Sequence, residues 1–204
     1  MSGIIAQNVG RHTGLVKASS GGGGAWTLIS TQTASASSTI SFTSGLDSTY
    51  DEYIFKFYNL HPSADQPHLQ FQGNASGGSG YNETINSIFF ESYHAESDGE
   101  AVLEYTAGGD LANGTGFQRL FTEANYSNDG SISGSLHLFA PSDTTFVKQF
   151  MSVCQGMFGP TTNPYSWQSF GSGYFNTTSA IDEIQFKFSS GNIDAGDISL
   201  FGIG

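Results

Sequence analysis

The chain has 204 residues and a formal charge of −12, from 18 Asp and Glu against six Lys and Arg. That balance argues against a nucleic-acid surface, which needs clustered cations to displace counterions from phosphates, and the single cysteine, Cys154, forbids an intrachain disulfide. No apolar run approaches the roughly 20 residues that a spanning helix needs, so no membrane insertion is expected.

Seventeen Phe and nine Tyr beside 27 Gly describe aromatic strands punctuated by turns. At this length folding buries roughly 70% of the unfolded surface, so one all-β domain can form its core without disulfides or metals.

Residues 1–25, MSGIIAQNVGRHTGLVKASSGGGGA, differ from everything after them. Arg11, His12 and Lys17 make the segment relatively basic, the pairs Ile4-Ile5 and Leu15-Val16 are too small to form a core, and Gly21 to Gly24 read as a flexible linker. A glycine-rich terminus is a free tail by default; here an anchoring arm that docks on a partner is expected instead, with Ile4, Ile5, Arg11, Leu15, Val16 and Lys17 as its contacts. The start has no charged region followed by an apolar core, so no signal peptide is expected and synthesis is assigned to the cytoplasm.

The domain is expected over residues 26–204. Trp26–Ile29 and Ile40–Phe42 are short strands, and Tyr53–Asn59 is the strongest strand of the first half. In Tyr53–Asn59 both faces are partly apolar, which predicts a central strand covered on both sides. Leu69–Gln72 alternates again. Asn82–Tyr93 carries Ile85, Ile88, Phe89 and Tyr93 at helical spacing, so a short helix and an irregular strand are both open there. Turn signals at Asp98-Gly99, Gly108-Gly109 and Asn113-Gly114 make residues 95–116 loop-like. Strands resume at Phe117–Phe121, Ser133–Phe139, Phe146–Val153 and Trp167–Gly171, with turns between them, one of them over Pro160–Pro164.

The last stretch alternates cleanly, with Ile184, Phe186 and Phe188 on one face and Glu183, Gln185 and Lys187 on the other. Ser189 to Asn192 supply turn chemistry, and Ile198–Phe201 reads as the returning arm of a terminal β-hairpin. Gly191, Gly196 and Gly202 fit turn, bulge and close-approach positions. Many short strands with turns between them predict an antiparallel, jelly-roll-like β-sandwich with an extended N-terminal arm.

Chemistry-bearing motifs are sparse. There is no phosphate loop, GxSxG elbow, HExxH pair or CxxC, and no cofactor is expected. The densest ionisable group, Glu91, His94, Glu96, Asp98 and Glu100 in ESYHAESDGE, departs from the EF-hand pattern and reads as a solvated acidic loop. His12, His61, His68, His94 and His137 show no metal-like spacing, and His137, between Leu136 and Leu138, belongs on the solvent side of its strand. Met151, Val153 and Met157 around Cys154 predict a buried, inert thiol. Five N-x-S/T sequons, at Asn74, Asn82, Asn113, Asn125 and Asn176, are what an Asn/Ser/Thr-rich surface produces. Tyr81, Tyr93, Tyr165 and Trp167 lie outside the strongest strands and are candidates to stack on sugars or a partner.

Two stretches carry a resemblance. The arm GIIAQN…GLVK with the opening WTLISTQTASASSTISFTSGLDSTYDEYIFKFYNL, and the ending IQFKFSSGNIDAGDISLFGIG, resemble a group of bacteriophage virion structural proteins, many from marine or cyanobacterial phages. The match covers roughly the first sixty and last twenty-five residues and leaves the middle aside; Phe201 stands where the pattern often has Tyr. The resemblance implies a non-enzymatic β-sandwich mounted on a virion and held through its arm by other virion proteins. Such a part is a fibre or tail-associated component for host attachment, or alternatively a capsid decoration protein, and homotrimers are a common arrangement. The exposed aromatics add a carbohydrate-binding module as a further expectation, with host-surface glycan as ligand. Glu and Asp pairs leave room for a small glycosidase or lyase.

Overall fold

Residues 25–159 and 162–204 are described by the computed structural model of the chain. Their strands are β1 (Trp26–Thr33), β2 (Ile40–Phe42), β3 (Glu52–Pro62), β4 (Leu69–Ala75), β5 (Ile85–Ala95), β6 (Ala101–Tyr105), β7 (Ala112–Gly114), β8 (Gln118–Phe121), β9 (Ile132–Phe139), β10 (Lys148–Phe158), β11 (Tyr165–Phe175), β12 (Ile181–Phe188) and β13 (Ile193–Ile203). A nine-stranded sheet has the order β1-β13-β3-β9-β10-β11-β5-β6, with β7 also paired to β5, and a four-stranded sheet has the order β2-β12-β4-β8. All the pairings are antiparallel.

Set aside β5–β7 and β10–β11, and eight strands remain that pair from the outside inward. β1 pairs β13, β2 pairs β12, β3 pairs β9 and β4 pairs β8, alternating between the sheets. That is a jelly roll, a chain folded back on itself and wrapped into two layers. The two insertions, one between β4 and β8 and the other between β9 and β12, pair with each other as β10-β11-β5-β6 and lengthen one sheet to nine strands against four.

The inner faces supply the reason for the two layers. Tyr53, Phe55 and Phe57 of β3, Leu136 and Leu138 of β9, and Ile198 and Leu200 of β13 are buried from one side. Phe42, Phe71, Ile184, Phe186 and Phe188 close from the other. The Phe186 ring lies 5.2 Å from Phe55, 5.3 Å from Phe57, 6.2 Å from Phe42 and 6.4 Å from Phe71, most of these edge to face. Aromatic quadrupoles favour that arrangement over parallel stacking.

The expected terminal hairpin does not form. β12 pairs β2 and β4, whereas β13 pairs β1 and β3, so residues 189–192 carry the chain across the sandwich. Both strands bear an apolar face, and two such faces bury more by lying opposite each other in separate sheets than side by side in one. The crossing is pinned by Ser189 N donating to His68 O (2.9 Å) and Ser63 N donating to Asn192 O (3.0 Å). Gly191 turns with φ +68 and Gly196 sits at φ +107 beside the register shift that follows Ala195, matching the turn and bulge positions. At Gly202 a Cβ would lie 2.2 Å from the Tyr50 ring.

Three other expectations change. Residues 85–95 form a regular strand, paired with β11 along its length; the helical spacing arose because Ile85, Phe89 and Tyr93 point inward while Ile88 points outward from a face that is itself apolar. Within the loop-like residues 95–116 lie the short strands β6 and β7. β3 is central in its sheet but covered by the second sheet on one side only: Ile54, between Phe201 and His137 in the register, is buried, whereas Tyr58 is exposed. Replacing Phe186 with Ala is expected to cost about 3–5 kcal/mol, whereas Phe146→Ala, at an exposed position, changes stability by less than about 0.5 kcal/mol; urea unfolding of the two variants measures both.

Candidate functional site

The prolonged half of the large sheet gathers most of the residues singled out for chemistry. On its inner face Trp167 of β11 lies between Tyr93 of β5 (ring centroids 3.9 Å, planes 2° apart) and Phe158 of β10 (3.8 Å, 17°). Tyr165 meets Tyr93 edge-on at 5.9 Å. Trp167 is only 5% exposed, however, so it cannot serve as an open stacking platform as expected. The alternation that begins at Phe150 and Ser152 puts it on the inner face, and its neighbours close over both ring faces. Tyr93 and Tyr165 donate at the rim to Glu104 and Glu100 (both 3.2 Å). Tyr81 stands apart, its hydroxyl donating to Glu183 of β12 (3.0 Å). Three of the four aromatic candidates thus come together, around a Phe158 that the sequence reading left outside its strand.

The acidic group of residues 91–100 is also divided. Glu91 is 1% exposed on the inner face of β5, a correction to its place in a solvated loop. Its Oε1 accepts from Trp167 Nε1 (2.8 Å) and Ser169 Oγ (2.9 Å), and its Oε2 from Thr106 Oγ1 (2.8 Å). Three donors satisfy a buried carboxylate that would otherwise be costly. His94 points outward and meets Asp98 at 3.1 Å in the β5–β6 turn, where Asp98 has φ +58. Glu96 and Glu100 remain at the surface. No group of three or more His, Cys, Asp or Glu among the described residues is placed to hold a metal ion.

Facing Glu91 is Arg119 of β8, partly buried, its charge disfavoured by burial and favoured by Glu91 and Glu123. Nearby, His68 Nδ1 accepts from Glu123 N (3.1 Å). Burial first, then the Arg119 charge, hold His68 below its ordinary 6.5, with Glu91 pulling the other way. Cys154 is fully buried and its thiol is pushed up to about 12, chiefly by burial, as expected of an inert cysteine. His137 is half-buried, its Nδ1 2.6 Å from Glu52 Oε1 across the β3–β9 pair, on the outer face where it was expected.

The outer face of the same half-sheet was missed. Along β9, β10, β11, β5 and β6 the outward positions hold Ser, Gln, Asn, aromatic and aliphatic residues with His94 and His137, and no Asp, Glu, Lys or Arg. Tyr105, Phe90, Phe170 and Val153 stand side by side across four strands. Phe90 and Phe170 stack at 4.8 Å with planes 9° apart. Beside this row a groove of about 300 Å³ is lined by Ser92, His94, Gln155, Ser166 and Gln168. The sequence did hold a signal: no charged residue and no histidine occurs from Gln149 to Ile181.

Ile4, Ile5, Arg11, Leu15, Val16 and Lys17 lie outside the described residues, as does Pro160 of the turn that precedes β11. No protein-family model, curated protein or solved structure matches the chain.

Two outcomes test the inner site as a structural one. Glu91→Ala leaves three donors without an acceptor and is expected to cost about 3 kcal/mol or more, whereas Glu91→Gln, which keeps an acceptor, costs less; urea unfolding compares the two. His68 folds in its neutral form, so below pH 6.5 the unfolded chain takes up the proton first and stability falls as the pH is lowered towards the depressed folded value. His68→Gln is expected to flatten the stability curve from pH 6.5 down to where carboxylates begin to protonate, measured by unfolding at a series of pH values.

Proposed function

We propose that the chain is a non-enzymatic structural component of a bacteriophage virion, a fibre or tail-associated protein held by residues 1–25 and presenting its sandwich towards the host surface. The observation that carries this reading is how the two resembling stretches come together. The opening supplies β1, β2 and all but the last two residues of β3, the ending supplies most of β12 and all of β13, and these strands pair with one another.

Within that frame the signature residues hold each other in place. Leu46 is buried, the Tyr53 hydroxyl donates to Asp47 Oδ1 (2.9 Å), the Thr49 N–H donates to the same carboxylate (2.8 Å), and Tyr50 covers Gly202. Their spacing is accounted for by scaffold packing. The middle of the chain, where the resemblance lapses, builds β5–β7 and β10–β11 and with them the uncharged outer face. A shared frame carrying a variable extension suits a part that is mounted by one region and makes contact with another. The buried polar residues of the extension also favour a non-catalytic role, because Glu91 spends its acceptor capacity on Trp167, Ser169 and Thr106.

A capsid decoration role follows from the same frame and differs only in where the arm docks. A carbohydrate-binding module is the second reading, favoured by the groove of Ser92, Gln155, Ser166 and Gln168 beside the stacked Phe90 and Phe170.

Deleting residues 2–20 is expected to leave a soluble domain with an unchanged unfolding transition that no longer joins the particle, measured by mass spectrometry of purified virions. Incorporation of the truncated chain at full occupancy would falsify the anchoring role.

A further inference from the structure

We propose that the uncharged outer face of β9, β10, β11, β5 and β6 is a self-association surface, and that its occupant is a second copy of this chain. Six large apolar side chains lie exposed on it: Leu103 (72% exposed), Tyr105, Met151, Ile88, Val153 and Phe90. They form one contiguous patch, because Tyr105, Phe90, Phe170 and Val153 are cross-strand neighbours and Leu103, Ile88 and Met151 flank that row. A patch of this kind on a soluble chain marks an interaction site.

Charge selects the occupant. Two copies carrying −12 each repel at most orientations, and they can approach only through surfaces free of carboxylates. This face meets that condition on five adjacent strands, and its nearest flanking charges are Glu52 and Lys56 on β3, Asp98 beside His94 in the β5–β6 turn and Asp110, which accepts from the Tyr105 hydroxyl at the margin. A two-fold interface between identical chains places the same patch on both partners, so any formal charge near its axis would meet its own copy; an uncharged patch avoids that repulsion. Composition agrees, since interface cores are enriched in aromatic residues and Met and depleted of Asp, Glu and Lys. Leu103, Ile88, Met151 and Val153 are aliphatic or thioether side chains without a flat ring for a sugar to stack on, which favours protein over glycan. The size also fits: about twenty outward positions on these strands compare with roughly 20–30 residues a side in a standard interface.

Pairing through this face does not require the particle role proposed above, and it is read on the isolated full-length chain. Sedimentation velocity over a concentration series is expected to show an oligomer. Leu103→Glu and Met151→Glu, each at an exposed position that tolerates the change in the monomer, are expected to weaken association at least about 100-fold while leaving the unfolding transition in place. Leu28→Glu, at an exposed position on β1 that β13 and β3 separate from this face, is the control and leaves the oligomer intact. A wild-type chain that stays monomeric throughout overturns the proposal, and so does an oligomer indifferent to both charges. A monomer that binds a glycan array and loses that binding on Leu103→Glu overturns it in favour of a sugar as occupant.

Discussion

Phe186 reaches from β12 into the space between the sheets, where Phe42, Phe55, Phe57 and Phe71 surround its ring. Every other feature of the fold depends on this contact between layers. Each sheet has an apolar inner face that water disfavours, and a single layer cannot hide it. The strands that bring these rings together are distant in sequence, so the chain must close long loops before the aromatic contacts compensate for the lost entropy. Pairing from the outside inward, with β1 on β13 and β2 on β12, lets each closure prepare the next.

The small sheet reaches past the jelly-roll strands, with Phe71 of β4 against Phe150 and Phe175 and Gln118 of β8 bonded to Ser87 of β5, and the end of the large sheet around Trp167 is finished by other means. Small inward residues such as Ser152, Cys154 and Ser169 let the layers approach closely. Farther along, the stack of Phe158, Trp167 and Tyr93 and the hydrogen-bonded Glu91 complete the inner layer beside β8. A buried carboxylate with three donors orients the Trp167 ring from one edge, which suits a role in specifying one packing arrangement. The inner face of the extension is thereby closed by β4, β8 and its own side chains, and the outer face is left apolar and uncharged. Seen this way, the extension resembles half of an interface more than a pocket.

Much of the architecture was legible in the chain because β-strands alternate with period two. Ile184, Phe186 and Phe188 on one face of β12 follow from that alternation alone, and the turn at Gly191 and the bulge at Gly196 follow from glycine's freedom at positive φ. The inert Cys154 was legible from its neighbours. The candidate site was harder to read. Trp167 and Glu91 occupy inward positions, but a polar acid within ESYHAESDGE carries the local signature of a solvated turn, and burial of its carboxylate depends on Ser169 and Trp167 more than seventy residues away. The apparent helical spacing of Ile85, Ile88, Phe89 and Tyr93 misled for a related reason, since a strand apolar on both faces loses its alternation.

What the sequence by itself determined was most of the strands, their inward faces and the turns between most of them, because backbone geometry and side-chain alternation are local; β5, β6 and β7 were not among them. Which sheet each strand joined was decided only by tertiary structure. β12 and β13 follow one another through an ordinary turn, yet they lie in opposite layers, because two apolar faces are better buried against each other than exposed together. The uncharged outer face arises in the same way, when insertions distant in sequence pair as β10-β11-β5-β6 and align side chains that no local pattern places together.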